Sequence, residues 1–420
     1  MSKKGKSQKM WSSVKESPQS GGWQIRVGPE RIVLTDAMQP IMFRTSRGTL
    51  YVSGGSPWPP GITPPDRNRS SNPCAVVSRD NGRTWKRWLA PQPQAGGIIN
   101  PFNPLLERQS AINTHGNALE LSDGRVVVQE WVGDGPTSKG DWHARYWESH
   151  DDLVSFTGPH IMTIHLPQAR CGFDDGGHPY SGLTFHRSLL ELLGGDLLTT
   201  VYCWFEGDVT SCTYQPPNCK YRCILLRSQD KGRNWKYVNT IAVDPTVGEE
   251  GFAEPVVVRL SRGSHVGRLV CLMRTGSNNC PIHQSYSDDE GVTWSVPRPL
   301  PFGGVDPDLI EMADGTLACS VGWRIWGGGE MQNYYVVFSR DGSETWTDLT
   351  VIPLETYAAT KYPSGTWYSS LREIAPGVLL VVYDYGAFDR DWPVRYLATR
   401  EVHVTAAPGH VSKSVKSSGC

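Results

Sequence analysis

The chain has 420 residues and a balanced charge, with 41 Lys and Arg residues against 42 Asp and Glu residues. This balance argues against a nucleic acid or an anionic membrane as a partner, because either would attract a strongly basic surface. The longest apolar runs, such as residues 376–385, are far shorter than the roughly 20 residues that a membrane-spanning helix needs. We therefore expect no nucleic-acid partner, no membrane span and a smaller molecule as the ligand.

The composition favours short strands joined by tight turns. The sequence contains 44 Gly, 31 Pro and 16 Trp residues, and long Ala-rich or Leu-rich stretches are hard to find in it. Gly and Pro mark turns, whereas aromatic residues are enriched in strands. The composition therefore predicts an all-β protein.

The two ends of the chain read as flexible segments. Residues 1–24 have the basic start of a secretory signal peptide but not the apolar region that must follow it. We expect residues 1–24 to be a flexible leader, residues 25–405 to form a single domain and residues 406–420 to be a flexible tail. These features specify neither the compartment nor the oligomeric state.

A short polar turn that ends in an aromatic residue recurs along the chain. Its first copy, residues 78–85 (SRDNGRTW), contains a Ser, an Asp two residues later, a Gly and a final Trp. The copies lie about 50 to 80 residues apart, a spacing that suits one four-stranded sheet for each repeat. Their aspartates are Asp80, Asp151, Asp230, Asp289 and Asp341. We expect each Asp to accept hydrogen bonds from its own turn, so these aspartates are not site candidates.

A second repeat, in which a strand, a Gly turn and another strand follow one another, occurs six times. Its turn glycines are Gly48, Gly124, Gly195, Gly263, Gly315 and Gly377. Six such repeats predict a six-bladed β-propeller with four antiparallel strands in each blade. The sixth repeat lacks the aspartate turn, so we expect residues 30–36 (ERIVLTD) to supply its outer strand and to close the ring.

The combination of five aspartate turns and six repeats resembles the sialidase superfamily of six-bladed β-propellers, and the resemblance extends over about residues 25–405. Residues 250–276 (EGFAEPVVVRLSRGSHVGRLVCLMRTG) precede an aspartate turn and resemble the sialidase segment that carries a catalytic Glu and a substrate-binding Arg. Residues 365–374 (GTWYSSLREI) resemble the segment that carries the nucleophilic Tyr.

The resemblance implies a chemical role for four residues. Tyr368 would be the nucleophile and Glu254 its base, since a free phenol with a pKa of roughly 10 is a poor nucleophile. Arg274 and Arg324 would bind the substrate carboxylate. Sialidases use Tyr because sialic acid bears a carboxylate on its anomeric carbon, and a second negative charge near 4 Å would cost about 4 kcal/mol at an effective dielectric constant of about 20. The mechanism implies no cofactor and no metal.

A fixed offset from the turn glycines predicts which residues surround the central channel. In a propeller the innermost strands begin at one face of that channel. Nine residues before the successive glycines stand Gln39, His115, His186, Glu254, Asp306 and Tyr368. Most of these side chains can donate, accept or transfer protons, so we expect them to form the site. Glu254 and Tyr368 also match the sialidase motifs, and the other four are substrate-binding candidates.

Two departures from the sialidase pattern affect the substrate carboxylate and the leaving group. No Arg stands beside Pro40, where a sialidase has the third Arg of its triad. Arg187 is the candidate for the missing charge, although it should point away from its neighbour His186 in a regular strand. The sialidase acid/base Asp corresponds to Asn72, and Asp66 in the same loop is the substitute candidate.

The acid/base role also has three rivals, His115, His186 and Asp306. Both departures make a terminal sugar other than sialic acid a plausible substrate. Residues 173–182 and the aromatic-rich insertion 203–223 are expected to form a rim that selects the sugar by stacking and hydrogen bonding. The four cysteines of that insertion match no standard zinc pattern, so we expect a disulfide-stapled or simply Cys-rich loop.

The leading functional hypothesis is an exo-acting retaining glycoside hydrolase. It would remove a terminal sugar, acidic and sialic-acid-like or of another kind, from a glycan through Tyr368 and Glu254. One alternative is a glycan-binding propeller without catalysis, in which the same polar residues only hold a sugar. Another is a carbohydrate lyase, in which Tyr368 or a His removes a proton from the substrate.

Overall fold

A computed structural model describes residues 22–56, 72–88, 117–130, 132–170, 182–213, 216–276, 280–323, 334–354, 366–386 and 394–406. These ranges consist of β-strands and turns, apart from one short 3-10 helix at Gly263–His265. The all-β prediction is therefore confirmed. Within the same ranges, no helix is long and apolar enough to cross a membrane. The predicted leader and tail fall almost wholly outside the described residues.

The first thirteen strands of the described residues lie between residues 23 and 191. In chain order they are β1 (Trp23–Val27), β2 (Arg31–Thr35), β3 (Met38–Arg44), β4 (Leu50–Ser56), β5 (Asn72–Ser78), β6 (Lys86–Trp88), β7 (Ala118–Glu120), β8 (Val126–Gln129), β9 (Val132–Asp134), β10 (Asp141–Ser149), β11 (Thr157–His165), β12 (Ala169–Arg170) and β13 (Gly182–Glu191).

The remaining fourteen described strands lie between residues 197 and 406. In chain order they are β14 (Leu197–Phe205), β15 (Arg222–Ser228), β16 (Asn234–Ala242), β17 (Ala253–Arg259), β18 (Leu269–Arg274), β19 (Pro281–Ser287), β20 (Arg298–Gly303), β21 (Val305–Glu311), β22 (Leu317–Gly322), β23 (Tyr334–Ser339), β24 (Thr347–Ile352), β25 (Ser369–Ala375), β26 (Val378–Tyr385) and β27 (Tyr396–Ala406).

Most of these strands belong to sets of four that pair antiparallel. In chain order the sets are β3–β6; β7, β8, β10 and β11; β13–β16; β17–β20; β21–β24; and β25–β27 together with β1. The second and third sets join into one ten-stranded sheet, because β11 pairs parallel with β16 and β9 pairs with both β10 and β13. The repeats found in the sequence thus correspond to sets of neighbouring strands.

The N-terminal strands lie in the same sheet as the C-terminal strand. Strand β2 pairs antiparallel with β27 from Arg31 opposite Thr399 to Thr35 opposite Tyr396. This pairing confirms the prediction that residues 30–36 supply an outer strand to the sixth repeat. The predicted segment was too short, because β1 pairs with the same edge of β27. The exposed edge of β27 is covered in this way.

The five aspartate turns share one hydrogen-bond pattern. Asp80 accepts a bond from the backbone N–H of Thr84 at 2.9 Å and another from its hydroxyl at 2.6 Å, and Ser78 donates to Asp80 at 2.7 Å. The side-chain bond from Thr84 is the largest cause that lowers the pKa of Asp80 to about 2. The other four aspartates bond in the same way. Each therefore stabilises its own turn, as predicted.

Apolar layers fill the space between neighbouring sets. Trp235, at the end of the third aspartate turn, is buried with Trp142 of the second set and Phe185 of the third. Trp346 packs edge-on against Phe302, with ring centroids 5.7 Å apart. The aromatic residues that close the turns therefore belong to the interfaces between sets, where their large apolar area stabilises the packing.

The cysteines of the described residues are free thiols. They include Cys203, Cys212, Cys219 and Cys223 of the predicted rim, so the insertion is Cys-rich without a disulfide staple among these four. Burial raises the pKa of Cys223 well above its ordinary value. This thiol therefore stays protonated and behaves as a small core residue.

Each set begins with a strand that has one edge not covered by any strand of its own set. These strands are named here the first strands, and they are β3, β7, β13, β17, β21 and β25. Side chains of a neighbouring first strand bond to the backbone along this edge. Ser188 accepts from the N–H of Val257 at 2.8 Å, and Asp308 accepts from the N–H of Leu371 at 3.0 Å. The first strands lie side by side in the order β7, β13, β17, β21, β25, β3, so their N-terminal ends are brought together.

We predict that Trp235→Ala destabilises the fold by about 3–5 kcal/mol, because it removes a large buried ring between two sets. The indole also loses its hydrogen bond to the carbonyl of Gly232, at 2.9 Å. Equilibrium unfolding in urea measures the effect. Leu193→Ala, at a turn position that is 86% exposed, is the control and should change stability by less than about 0.5 kcal/mol. Equal effects of the two substitutions would contradict the packing described for Trp235.

Candidate functional site

In five sets, a residue in the left-handed region of backbone conformation lies within the first strand or, in the sixth set, two residues before it. The residues are Gln39 (φ 54°), Arg187 (φ 39°), Glu254 (φ 45°), Asp306 (φ 52°) and Trp367 (φ 67°). Side-chain-bearing residues adopt such angles rarely, and they cluster at functional sites when they do. At the first four, the pairing register also shifts, as in a β-bulge. The bulges turn side chains toward the neighbouring first strands.

The offset of nine residues before the turn glycine agrees with these bulges in three sets. It identifies Glu254, Asp306 and Gln39 directly. In the third set the left-handed residue is one position after His186, and in the sixth it is one position before Tyr368. The third set differs because its register shift, between Phe185 and Leu189, inserts more residues than the shifts of the other sets. The sixth set has its shift between Glu373 and Ala375 instead, and a fixed count allows for neither.

Tyr368 and Glu254 are in direct contact. The phenol Oη of Tyr368 donates a hydrogen bond to Glu254 Oε1. Arg274 Nη1 donates to the same oxygen at 2.6 Å, and the backbone N–H of Asp306 donates to Glu254 Oε2 at 2.7 Å. Both carboxylate oxygens of Glu254, which is 2% exposed, are therefore held in place. Tyr368 is half-buried, so the pair lies at the boundary between protein and solvent.

Arg274 is held between two carboxylates. Besides its bond to Glu254, its Nε lies 2.7 Å from Oε1 of Glu250, and all three side chains are buried. Glu250 was not identified from the sequence, although it opens the segment 250–276 that resembles sialidases. Glu250 lies four residues before Glu254, so the count of nine residues before a turn glycine does not select it. Nothing in the sequence indicated its contact with Arg274.

Asp306 is the centre of a second cluster of bonds. Its Oδ1 lies 2.8 Å from His186 Nε2 and accepts from Arg187 Nε at 2.8 Å, and a second bond runs from Arg187 Nη2 to Oδ2. The backbone N–H of Ser369 donates to Oδ2 at 3.2 Å. The expectation that His186 and Arg187 point to opposite sides is wrong, because the left-handed conformation of Arg187 interrupts the strand alternation.

Asp308, two residues further along β21, is a buried carboxylate that the sequence analysis missed. It lies 2.8 Å from Arg372 Nη1 and 3.6 Å from Arg187 Nη1, and it also accepts from the backbone N–H of Leu371. Burial alone would raise the pKa of Asp308, but the guanidinium groups of Arg372 and Arg187 outweigh burial and hold it below its usual value. Asp308 therefore stays ionised near neutral pH.

Gln39 contributes its backbone to the same region. Its N–H donates to Asp384 Oδ2 at 2.8 Å. The other oxygen of Asp384 accepts from Tyr334 Oη at 2.5 Å and from the backbone N–H of Thr366 at 3.0 Å. Burial raises the pKa of Asp384. This carboxyl group anchors the start of β3 to the fifth and sixth sets.

The charges of the described site largely pair with one another. Arg187 bonds to Asp306, with Asp308 close by, and Arg274 bonds to Glu250 and Glu254. A carboxylate of a substrate would compete with these internal partners for either guanidinium. Removing one partner from a buried ion pair costs about 3–5 kcal/mol, so such competition is unfavourable.

The described residues contain one group that could hold a metal ion. Ligand atoms of His186, Glu254 and Asp306 lie within 4.8 Å of one another. The guanidinium groups of Arg187 and Arg274 bind two of these three side chains. Because the cationic groups already balance the carboxylates, the arrangement suits a proton-transfer cluster better than a metal centre.

Three predicted site residues, Asp66, His115 and Arg324, lie outside the described residues, as does nearly all of the predicted rim segment 173–182. Part of the second rim segment, 203–223, is described. Tyr221 packs against Tyr202 and Trp204, with ring centroids 5.3 and 5.7 Å apart, and the Tyr202 ring is 6.4 Å from that of His186. Aromatic rings thus lead from the site toward the insertion.

The family of BNR repeat-like domains matches residues 103–367, which is more than half of the chain. The protein belongs to this family, within the sialidase-like superfamily. The resemblance inferred from the repeated turns is thereby confirmed.

A curated relative is a sialidase from Clostridium perfringens, which is 25% identical over 219 residues. The matched region covers 45% of this chain and 55% of that sialidase. The chain therefore matches only about half of the length of this relative.

Three solved structures are similar along most of the chain. A protein of unknown function from Dyadobacter fermentans has a TM-score of 0.62 and 19% identity, with 91% of this chain and 99% of that chain covered. The α-L-arabinanase of Penicillium chrysogenum, complexed with arabinobiose, has a TM-score of 0.53 and 14% identity, with 89% of this chain and 98% of that chain covered. A Hadza microbial sialidase has a TM-score of 0.55 and 15% identity, with 87% of this chain and 65% of that chain covered. At these identities the similarity shows a shared fold.

We predict that Asp308→Asn lowers stability at neutral pH and that the difference from the wild type closes as the pH falls. Because the folded state lowers the pKa of Asp308, its ionised form stabilises the fold above the unfolded pKa of about 4. That contribution is lost as the pH falls through the folded pKa. Urea unfolding of both proteins from about pH 3 to about pH 7 measures the difference. A difference that stayed constant with pH would contradict an ionised Asp308.

Proposed function

We propose that this protein is an exo-acting retaining glycoside hydrolase in which Tyr368 is the nucleophile and Glu254 its base. The observation that carries the proposal is the hydrogen bond from Tyr368 Oη to Glu254 Oε1, between the sixth and fourth sets. Membership of the sialidase-like superfamily supports glycoside hydrolysis as the reaction class.

The proposed fold is a six-bladed β-propeller. It is supported by sets of four antiparallel strands, by first strands that lie side by side and by the terminal strands that share one sheet. In a propeller these first strands surround the channel. A sugar that enters the channel would meet Tyr368 and Glu254 at its wall.

The proposed reaction has two steps. Glu254 accepts the phenol proton while the Tyr368 oxygen attacks the anomeric carbon and the bond to the leaving group breaks, which forms a covalent glycosyl–tyrosine intermediate. The acid/base residue then takes a proton from a water molecule that attacks the same carbon, and Glu254 returns its proton to the departing phenolate. Two displacements at this carbon retain its configuration. Arg274, bonded to the same oxygen of Glu254, holds that carboxylate in its orientation.

The leaving group needs a proton donor, and Asp66 remains the proposed acid. His186 is less suited to this role. Its Nε2 bonds to Asp306 at 2.8 Å, its Nδ1 lies 3.4 Å from the carbonyl of Pro255, and the side chain is buried. Both ring nitrogens therefore have protein partners, whereas an acid must reach the glycosidic oxygen.

The terminal sugar is either acidic, as in the sialidase relative, or neutral, as in the arabinobiose-bound structural neighbour. The pairing of Arg187 and Arg274 with internal carboxylates favours the neutral sugar. We propose a glycan or glycoconjugate as the substrate in either case. A neutral ring would leave both arginines with their present partners.

The first experiment is a screen of aryl glycosides that includes an α-sialoside, uronides and α-L-arabinofuranosides. On the best substrate, we predict that Tyr368→Phe lowers kcat at least about 100-fold, because the ring stays in place but loses its nucleophilic oxygen. Glu254→Gln should lower kcat to a similar extent. Tyr237→Phe, which changes a surface tyrosine of β16, is the control and should keep full activity.

Full activity of Tyr368→Phe would disprove the proposed nucleophile. Binding of a glycan without turnover of any glycoside would favour a glycan-binding propeller. An unsaturated product that absorbs ultraviolet light would identify a lyase. Product anomers observed by NMR at early times test retention directly.

A further inference from the structure

Asp306 connects strand β17, which carries Glu254, to strand β25, which follows Tyr368. Its backbone N–H donates to Glu254 Oε2 at 2.7 Å. Its carboxylate accepts from the backbone N–H of Ser369, the residue next to Tyr368, at 3.2 Å. One fully buried residue thus bonds to both sides of the Tyr368–Glu254 contact.

The conformation of Asp306 makes both bonds possible. Its left-handed backbone, with φ 52°, and the register shift after Val305 turn its N–H out of the ladder of its own set and toward Glu254. Asp and Asn adopt this conformation more readily than other residues with a side chain. The residue type and the local geometry therefore agree.

The side chain of Asp306 is fixed from the opposite direction. Arg187 forms two bonds to its carboxylate, and His186 forms a third. Arg187 is itself held by a bond to the carbonyl of Pro40, at 3.1 Å. The carboxylate is therefore bound by groups from the third and sixth sets, with Arg187 anchored to the first set, and it has little freedom to rotate.

We propose that Asp306 is a positioning residue that sets the separation between Tyr368 Oη and Glu254 Oε1. It acts through its N–H on Glu254 and through Ser369 on the strand of Tyr368, and it needs no contact with the sugar. Its effect on turnover rests on the proposed function, whereas its effect on the separation does not. A shift of about 1 Å between reacting groups lowers rates by about 100-fold.

Asp308 provides a matched control. It lies on the same strand and, like Asp306, is buried. It also accepts one bond from Arg372 and one from a backbone N–H of β25, and Arg187 lies 3.6 Å away. The bonds described for Asp308 do not include one to Glu254 or to Ser369. A role that is only structural would make Asn substitutions at the two positions equivalent.

The experiment compares crystal structures and kinetics of Asp306→Asn and Asp308→Asn. We expect Asp306→Asn to separate Tyr368 Oη from Glu254 beyond hydrogen-bond reach and to lower kcat about 10- to 100-fold, with KM changed less than about threefold. Asp308→Asn should keep the Tyr368–Glu254 contact within hydrogen-bond reach. If Asp306→Asn does not fold, Arg187→Met combined with Asp306→Asn removes both charges of the buried pair.

An intact Tyr368–Glu254 contact in the folded variant at position 306 would overturn the proposal. Loss of the contact in Asp308→Asn as well would also overturn it, because it would show a general need for buried charge. If the wild-type protein hydrolyses no glycoside, the proposed function fails, and the two crystal structures alone decide whether Asp306 positions the pair.

Discussion

The central constraint on this structure is that the first strands have backbone groups which their own sets leave without partners. A buried N–H without an acceptor is costly, so another part of the chain must supply one. Ser188, Ser370 and Asp308 do so for neighbouring first strands. Each of these short polar side chains therefore determines how two sets lie relative to each other, which the apolar layers alone would not specify.

The same constraint explains why the candidate site contains so many buried charges. Carboxylates accept the backbone N–H groups that lie at the bulges, as Glu254 does for Asp306 and Asp384 does for Gln39. Arginines then balance the carboxylates. The network thus satisfies buried backbone N–H groups and also orients the candidate catalytic residues. It occupies, however, the guanidinium groups that would otherwise bind an acidic sugar. A neutral sugar would also lack the like charge that explains the use of Tyr in sialidases, so the substrate screen tests both arguments.

Repetition made much of the fold predictable from sequence, because equivalent turns and glycines report equivalent strands. The sheet partner of residues 30–36 followed from the missing sixth aspartate turn. The contact between Tyr368 and Glu254 was expected because motif and offset agreed. The contact of both His186 and Arg187 with Asp306 was not expected, because a bulge shifts the alternation of side chains by one position. Glu250 and Asp308 were missed because their partners are distant in the chain and carry no repeated signal.

The pairing of β1 and β2 with β27 has a consequence for the order of folding. Strands β1 and β2 have their sheet partner β27 more than 350 positions later in the chain. During synthesis, β1 and β2 must wait for this partner until β27 has emerged from the ribosome. Such a distant pairing carries a large entropic cost of loop closure. The pairing of β27 with β1 and β2 is therefore expected to form after the sets that lie between them in the chain.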